Sequence, residues 1–250
     1  MDNTSRSQLV TIPGAIIIAG ALIAATLLYV MHPAKQTKDT KTVSDQPVVS
    51  MRPVSSSDHI LGNPDAPIKI VEYSDASCPY CKMFNPTMEQ IMAEYGPSGK
   101  VAWIYRNWPL DKPDTNGRIL HKNAGHEAQA LECAASVGGN DKFWAFEKHL
   151  YETTPSVTGD TPNGLDQSKL PILAKDVGID QKAFTDCLAS GKFQSKVDAD
   201  FIDGINAGVG GTPYSIVMNS SGTKIPINGA QPYSIVKATI DSLLSEQNNQ

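Results

Sequence analysis

The chain has 250 residues, of which 40% are hydrophobic and 19% are charged, as in an ordinary globular protein with enough apolar material for a core. The formal net charge of −5 gives no electrostatic reason to expect a nucleic acid partner, so none is predicted. Four cysteines are too few for a scaffold built on disulfides, which leaves their positions as the informative feature.

The N-terminal region contains an apolar segment of membrane-spanning length. After a short tail at 1–8, residues 9–31 (LVTIPGAIIIAGALIAATLLYVM) carry no charge. As a helix this segment would reach about 34 Å, whereas the hydrocarbon core of a bilayer measures about 30 Å. The sequence YVMHPA that ends it is a poor cleavage site, so we predict an uncleaved, single-pass transmembrane anchor.

Residues 32–57 are rich in Lys, Thr, Ser, Asp and Pro, which predicts a flexible linker to a folded domain at 58–250. Flanking charge argues for a cytoplasmic domain, because several lysines follow the apolar segment and only Arg6 precedes it. The positive-inside rule is weak for long translocated domains. We therefore base the predicted location of the domain on the cysteine chemistry described below.

The first part of the folded domain predicts a strand, a helix and a second strand. Ile68–Tyr73 (IKIVEY) and Val101–Arg106 (VAWIYR) are short runs rich in β-branched and aromatic residues. Between them, apolar residues recur at helical spacing from Pro79 as far as Gly96. A unit of this kind predicts that the two strands are parallel.

The rest of the domain predicts a helical insertion at about 115–207, followed by a hairpin and a last helix. The insertion lacks strand signals and contains several helical stretches bounded by Gly, Pro or Asp. TPYSIVMN and TKIPING then predict two strands joined at 220–222, and Pro226 places the second at an edge of the sheet. The last helix is predicted from Tyr233 to about Leu244, which completes an α/β domain.

Cys78 and Cys81 lie at the junction of the first strand and its helix, and three interpretations compete for them. A structural disulfide is one, although so short a loop would stabilise the fold little. A zinc site is another, but it needs four ligands, and the other two cysteines, Cys133 and Cys187, are single and 54 residues apart. The third interpretation is a redox-active pair.

Pro79 favours the redox interpretation, because proline suits the first helical position and makes Cys78 the residue just before the helix. There the sulfur would face unpaired backbone N–H groups and the positive end of the helix dipole, which lower the pKa of the thiol. Cys78 would be the exposed nucleophile, and Cys81 the less exposed resolving thiol.

Glu72 is a candidate proton acceptor, because it alternates with Ile68 and Ile70 and so shares their face of the strand. If that face is buried, the pKa of the carboxyl should be raised, and it could exchange a proton with Cys81. A strand-end glutamate that reaches solvent is the open alternative. Asp75 is predicted to be a turn residue near the surface.

Four segments together resemble one known family: GNPDAPIKIVEYSDASCPYC, YRNWPL, ECAASVGGNDKFWAFEKHLYE and GVGGTPYSIV. They are similar to the DsbA-like thiol:disulfide oxidoreductases, and more narrowly to a membrane-anchored branch that begins G-N-P-x-A-P. The resemblance covers about 58–244. It implies a thioredoxin fold with a helical insertion domain, working as a disulfide oxidase on secreted proteins.

The resemblance also implies roles for single residues. Cys78 is the attacking thiolate, Cys81 its partner, and Glu72 the buried acid of the family. Thr212–Pro213 matches the cis-proline loop that faces the disulfide and pairs with substrate backbone.

Two positions depart from the best-known oxidase. The dipeptide between the cysteines, Pro79–Tyr80, replaces Pro-His, which predicts a milder oxidant. Thr212 before the proline is shared with isomerases. An oxidase is therefore favoured over a reductase or isomerase, and a thioredoxin-fold module that binds a metal or serves as an adaptor without turnover is the alternative from another class.

Cys133 and Cys187 fall in two different predicted helices, and they match a second, structural pair of some family members. We predict a bridge between them, with two buried free thiols as the alternative. A stable bridge implies an oxidising compartment, hence an extracytoplasmic catalytic domain on a membrane-anchored protein. We expect reduced, unfolded secreted proteins as substrates, a quinone-linked membrane reoxidant of the DsbB or vitamin K epoxide reductase type, a monomer, and neither cofactor nor metal.

Overall fold

The computed structural model describes residues 50–114, 116–155 and 164–248. The predicted tail, the predicted anchor at 9–31 and most of the predicted linker lie outside these ranges. Among the described residues no helix combines the length and the apolar character needed to cross a membrane.

The described part of the chain forms one mixed sheet whose central strand leads into the cysteine pair. Its strand order is β1-β3-β2-β4-β5. Strands β2 and β3 are parallel, as predicted, and the other neighbours are antiparallel. The strands are β1 (His59–Gly62), β2 (Ile68–Ser74), β3 (Val101–Asn107), β4 (Tyr214–Asn219) and β5 (Lys224–Asn228).

Helix α1 (Pro79–Tyr95) connects β2 to β3, and a block of five α-helices and one short 3-10 helix (Gln167–Lys169) separates β3 from β4 in the described residues. The block lies within the predicted insertion, and the final helix runs four residues beyond its predicted end. The remaining helices are α2 (Ala124–Gly138), α3 (Asn140–Thr153), α4 (Leu170–Asp176), α5 (Gln181–Ala189), α6 (Gln194–Asn206) and α7 (Tyr233–Asn248). This is a thioredoxin fold with helices inserted between its two halves.

Both faces of the sheet are covered, which explains why β2 and β3 are apolar on both sides. One face packs on α1, α3 and α7, and Ile70 and Trp103 belong to that core. The other face packs on α6, which approaches closely at Gly204, where a Cβ would lie 2.4 Å from a ring carbon of Trp108. The thiol pair lies on the first of these two sides.

A disulfide between Cys133 and Cys187 joins α2 to α5, so the structure contains the predicted bridge. Both cysteines are buried in the larger core, which also contains the packed rings of Phe146 and Phe184. By chain-entropy arguments, closing a loop of this length constrains the unfolded chain by about 4 kcal/mol.

A buried ion network binds the start of the described chain to the sheet. Arg106 of β3 is fully buried and contacts Asp58 at 2.9 Å and Asp203 of α6 at 2.7 Å. Arg52 contacts Asp58 and Asp200, each at 2.7 Å. Residues 52–58, at the end of the predicted linker, are therefore bound to the domain.

Candidate active site

The cysteine pair lies where β2 ends and α1 begins. Asp75 stabilises the turn at residues 75–78 between the two elements. Its carbonyl oxygen accepts a hydrogen bond from the N–H of Cys78, and its carboxylate accepts one from the N–H of Ser77. Cys78 is the residue just before the helix and Pro79 is the first helical residue, as the sequence predicts. The side chain of Cys78 therefore lies at the positive end of the α1 dipole.

Cys78 and Cys81 are both free thiols, and both are buried. The expectation of an exposed Cys78 is wrong, because the residue is only 3% exposed and Cys81 is fully buried. Tyr151 of α3 packs against both cysteines. The sulfur of Cys78 also lies 3.5 Å from the carbonyl oxygen of Thr212, which precedes a cis peptide bond to Pro213.

Large apolar side chains lie exposed beside this buried pair. Tyr80 is 61% exposed and Met83 is 66% exposed, both in the first turns of α1. A partner that reaches Cys78 would first meet these two side chains and the Thr212–Pro213 loop.

The two thiols have opposite pKa shifts. The pKa of Cys78 is lowered to about 6, chiefly by a hydrogen bond from the thiol of Cys81, with further contributions from Thr212 and the backbone N–H of Cys81. Burial opposes this shift. The pKa of Cys81 is raised well above its ordinary value by burial and by the hydrogen bond to Cys78. At neutral pH the pair therefore consists of one thiolate and one thiol.

This asymmetry predicts the pH profile of alkylation of the reduced protein by iodoacetamide. The rate at Cys78 should rise through pH 6, whereas an ordinary cysteine rises through about pH 8.5. Mass spectrometry of timed samples would measure the alkylation rate at Cys78.

The same pKa shift affects the stability of the reduced protein. Because the pKa of Cys78 is lower in the folded state than in the unfolded state, the thiolate stabilises the fold fully above about pH 8.5, and this stabilisation is lost as the pH falls through 6.

Replacing Cys81 with alanine is the matched control, because it removes the main hydrogen bond to the Cys78 sulfur and should move the midpoint upward. A midpoint near pH 8.5 in the unaltered protein would contradict the assignment of a thiolate to Cys78.

Glu72 lies on the buried side of β2, so the structure favours the first of its two interpretations. Its carboxyl is 2% exposed and accepts a hydrogen bond of 2.9 Å from the indole N–H of Trp103. Burial raises the pKa of Glu72 to about 7, although hydrogen bonds from Ser74 and Trp103 act in the opposite direction. The charge of Glu72 in turn raises the pKa of Cys81, so the two groups compete for protons.

Asp75 is buried, and its predicted position near the surface is wrong. It is only 1% exposed. One carboxylate oxygen accepts the hydrogen bond from Ser77 described above. The other accepts a hydrogen bond from the N–H of Leu110 and lies 2.8 Å from Nδ1 of His121. Burial would lower the pKa of His121, but the hydrogen bond and charge of Asp75 raise it. The sequence offered no signal for this contact, since the two residues are 46 positions apart.

Glu127 is a second group near the pair that sequence patterns missed. It is fully buried on α2 and accepts hydrogen bonds from Ser77 and Gln167. Burial raises its pKa to about 7. Across the described ranges, no three or more His, Cys, Asp or Glu side chains come together as a metal site would require.

Comparisons with known proteins are consistent with this geometry. A sequence model of the thioredoxin family matches residues 55–242. Among curated proteins, the Na(+)/H(+) antiporter NhaA 1 of Mycolicibacterium gilvum is 31% identical over 102 residues, which are 40% of this chain and 15% of that protein. The chain thus spans only a small part of the length of that relative.

Two other relatives match over most of both chains. The probable disulfide bond formation protein D of Bacillus anthracis is 25% identical over 199 residues, which are 78% of this chain and 81% of that protein. The crystal structure of oxidised BdbD from Bacillus subtilis superposes with a TM-score of 0.65 at 26% identity and covers 79% of this chain and 98% of that one.

Proposed function

Because the chain belongs to the thioredoxin family and has the fold of DsbA-like thiol-disulfide oxidoreductases, we propose that it is a protein disulfide oxidase. It would introduce disulfides into secreted or envelope proteins through Cys78 and Cys81. Glu72, Thr212 and Pro213 would complete the site, with Glu72 as the proton acceptor and the other two as the loop that pairs with substrate backbone.

The observation that carries this proposal is the pair of opposed pKa shifts. A thiolate at Cys78 stabilises the reduced form of the pair, and stabilising the reduced form makes the disulfide a stronger oxidant. A depressed pKa also makes the Cys78 sulfur a good leaving group. The dipeptide Pro79–Tyr80 between the cysteines supplies no histidine, and the hydrogen bond from Cys81 is the main cause of the lowered pKa of Cys78.

The cycle begins with the oxidised Cys78–Cys81 pair. A substrate thiolate attacks the sulfur of Cys78 and forms a mixed disulfide, while Cys81 leaves and takes a proton. A second substrate thiol then attacks the mixed disulfide and releases Cys78 as a thiolate. Two electrons pass from the substrate thiols to the enzyme, and the exposed Tyr80 and Met83 provide an apolar surface for an unfolded chain.

Two observations support an extracytoplasmic location. Structural disulfides such as the Cys133–Cys187 bridge are typical of proteins in oxidising compartments. The apolar run at 9–31 has the length of a membrane anchor. We propose a membrane-anchored protein that is reoxidised by a quinone-linked membrane protein of the DsbB or vitamin K epoxide reductase type.

Equilibration of the Cys78–Cys81 pair with glutathione, combined with oxidative refolding of a reduced protein, tests the proposal. We expect a reduction potential between about −120 mV, the value of DsbA, and about −180 mV, the value of protein disulfide isomerase, together with formation of disulfides in the substrate. A potential near that of thioredoxin, about −270 mV, without refolding activity would indicate a reductase. Stoichiometric metal binding without turnover would indicate the adaptor module.

A further inference from the structure

A buried aspartate–histidine pair adjoins the turn that leads to Cys78, and the cycle above does not use it. One carboxylate oxygen of Asp75 lies 2.8 Å from Nδ1 of His121. Asp75 is 1% exposed and His121 is 9% exposed, so water screens the contact little. His121 lies in the segment between β3 and α2, which leads into the helical insertion.

Hydrogen bonds within the turn connect Asp75 directly to Cys78. The carbonyl oxygen of Asp75 accepts a hydrogen bond of 3.0 Å from the N–H of Cys78. Its other carboxylate oxygen accepts one of 2.7 Å from the N–H of Ser77. Because both its backbone and its side chain are bound to the turn, the carboxylate has a fixed position relative to the backbone of Cys78.

His121 is held against this carboxylate by backbone contacts of its own. Its N–H donates a hydrogen bond of 3.0 Å to the carbonyl oxygen of Leu110, and its carbonyl oxygen accepts one from the N–H of Ala124 at the start of α2. The N–H of Leu110 donates a hydrogen bond of 2.8 Å to the carboxylate oxygen of Asp75 that faces the imidazole. The two segments are therefore joined at both the backbone and the side chains.

The charges of these three groups act on one another. The hydrogen bond from Cys81 lowers the pKa of Cys78 most, whereas the charge of Asp75 raises it. Burial would lower the pKa of His121, but the hydrogen bond and the charge of Asp75 raise it, and the charge of Cys78 adds to the increase. Since such a coupling is reciprocal, a protonated His121 in turn favours the thiolate of Cys78.

We propose that His121 is a positioning residue of the redox site, which braces the turn before Cys78 through Asp75 and compensates the negative charge of Asp75 near the thiolate. This role rests on the redox function proposed above and extends it. It makes the segment at the start of the helical insertion a contributor to the reactivity of Cys78. His121 acts through Asp75, whose carbonyl oxygen contacts the N–H of Cys78.

The compensation depends on pH. Cys78 ionises at about pH 6, and the pKa of His121 is raised above the ordinary value of 6.5, so thiolate and imidazolium are present together between these values. As the pH rises through the pKa of His121, the imidazole becomes neutral and the compensation is lost. Two other titratable groups face the pair: Glu127 of α2 faces the imidazole, and Asp111, in the segment after β3, faces Asp75.

The variant His121→Asn separates the charge of the imidazole from its hydrogen bond. The side-chain amide of asparagine can still donate to Asp75, but it carries no charge. In the reduced full-length protein we expect the midpoint of Cys78 alkylation by iodoacetamide to rise by about 0.5–1 pH unit from its value near 6. A histidine that only braced the turn would be replaced by asparagine without a change in this midpoint.

His149→Asn is the matched control. His149 of α3 also pairs with an aspartate, Asp176, at 3.5 Å, but its side chain is 30% exposed and the contact is remote from the turn. This variant should leave the alkylation midpoint near pH 6. Urea denaturation of both variants checks that each is folded.

The same substitution should change the redox equilibrium. A higher pKa of Cys78 stabilises the reduced form less, so at pH 7 the equilibrium of His121→Asn with glutathione should shift about three- to fivefold toward the oxidised protein. The His149→Asn control should equilibrate as the unaltered protein does.

A second measurement needs no substitution. NMR of the protein labelled with ¹³C in histidine gives the titration midpoint of His121 in the reduced and in the oxidised form. Oxidation removes the thiolate charge of Cys78, so the His121 midpoint should be lower in the oxidised form. By reciprocity the difference should be similar to the alkylation shift, about 0.5–1 pH unit.

Equal His121 midpoints in the two redox forms would overturn the proposal. So would an alkylation midpoint that His121→Asn leaves unchanged, or an equal shift in the His149→Asn control. If the unaltered protein showed both shifts but exchanged no disulfide with glutathione, the redox function would be overturned instead. The two failures are therefore distinguishable.

Discussion

Replacing Cys78 with serine is expected to lower the rate of thiol–disulfide exchange at pH 7 by at least about 100-fold. With a pKa of about 6, some nine tenths of Cys78 is thiolate at that pH, whereas Cys81, with a pKa raised well above the ordinary value, is less than about 1% ionised. The remaining thiol is also fully buried, so neither ionisation nor access allows it to substitute for Cys78. Oxidative refolding of a reduced protein, followed by the loss of free thiols, measures the effect.

The matched variant is Cys81→Ser, which should fail in a different manner. Cys78 still forms a mixed disulfide with glutathione or a substrate, but no resolving thiol remains, and the adduct should accumulate. Mass spectrometry under non-reducing conditions distinguishes the two variants. An adduct on the Cys78→Ser protein, or full refolding activity of that protein, would contradict the assignment of Cys78 as the nucleophile.

Replacing Arg106 with alanine is expected to lower the free energy of unfolding by about 3–5 kcal/mol, the largest effect on stability that we predict. The guanidinium is fully buried and contacts Asp58 and Asp203, so its removal leaves two carboxylates in the interior without their main partner. It also releases the carbonyl oxygens of Arg52 and Pro53, which hold the incoming chain against the sheet. Urea denaturation of the oxidised protein at pH 7 measures the loss.

The stability lost on replacing Arg106 should be smaller at acid pH than at neutral pH. Burial would raise the pKa of Asp58, but the hydrogen bond and charge of Arg106 keep it below the ordinary value. The stability from the pair is therefore present above about pH 4 and is lost as the pH falls through the depressed pKa of Asp58. The difference between the variant and the unaltered protein should accordingly shrink in acid.

Lys112→Ala is the matched control for Arg106→Ala. Lys112 forms an ion pair of 3.1 Å with Asp198, but both side chains are more than 40% exposed, and such pairs contribute less than about 1 kcal/mol. If Arg106→Ala cost no more than this control, the buried network would not be what holds residues 52–58 to the domain.

Local sequence patterns were enough to predict most of the strands and helices. The strands β2 and β3 and the helix between them follow from runs and periods that lie within a few residues of one another, and Pro226 marks β5 as an edge strand because proline has no N–H to donate. The strand β1 was not predicted. It has only four residues and is extended because it pairs with β3, whose partner residues are 40 to 46 positions away.

The position of the cysteine pair could be predicted for the same reason. The spacing of Cys78 and Cys81, and the proline between them, are local features that position both thiols at the start of a helix. The low exposure of Cys78 could not be predicted, because it results from Tyr151 and the Thr212 loop, which are remote in sequence.

The sequence by itself determined the strand–helix–strand unit, the helical insertion and the cysteines at the helix start, since each depends on neighbours along the chain. Only the tertiary structure decided which acids are buried around them. The contacts of Asp75 with His121, Ser77 with Glu127 and Asn85 with Glu147 join residues 46 to 62 positions apart. Proton affinity depends on burial and on nearby charge, and both are properties of the folded chain.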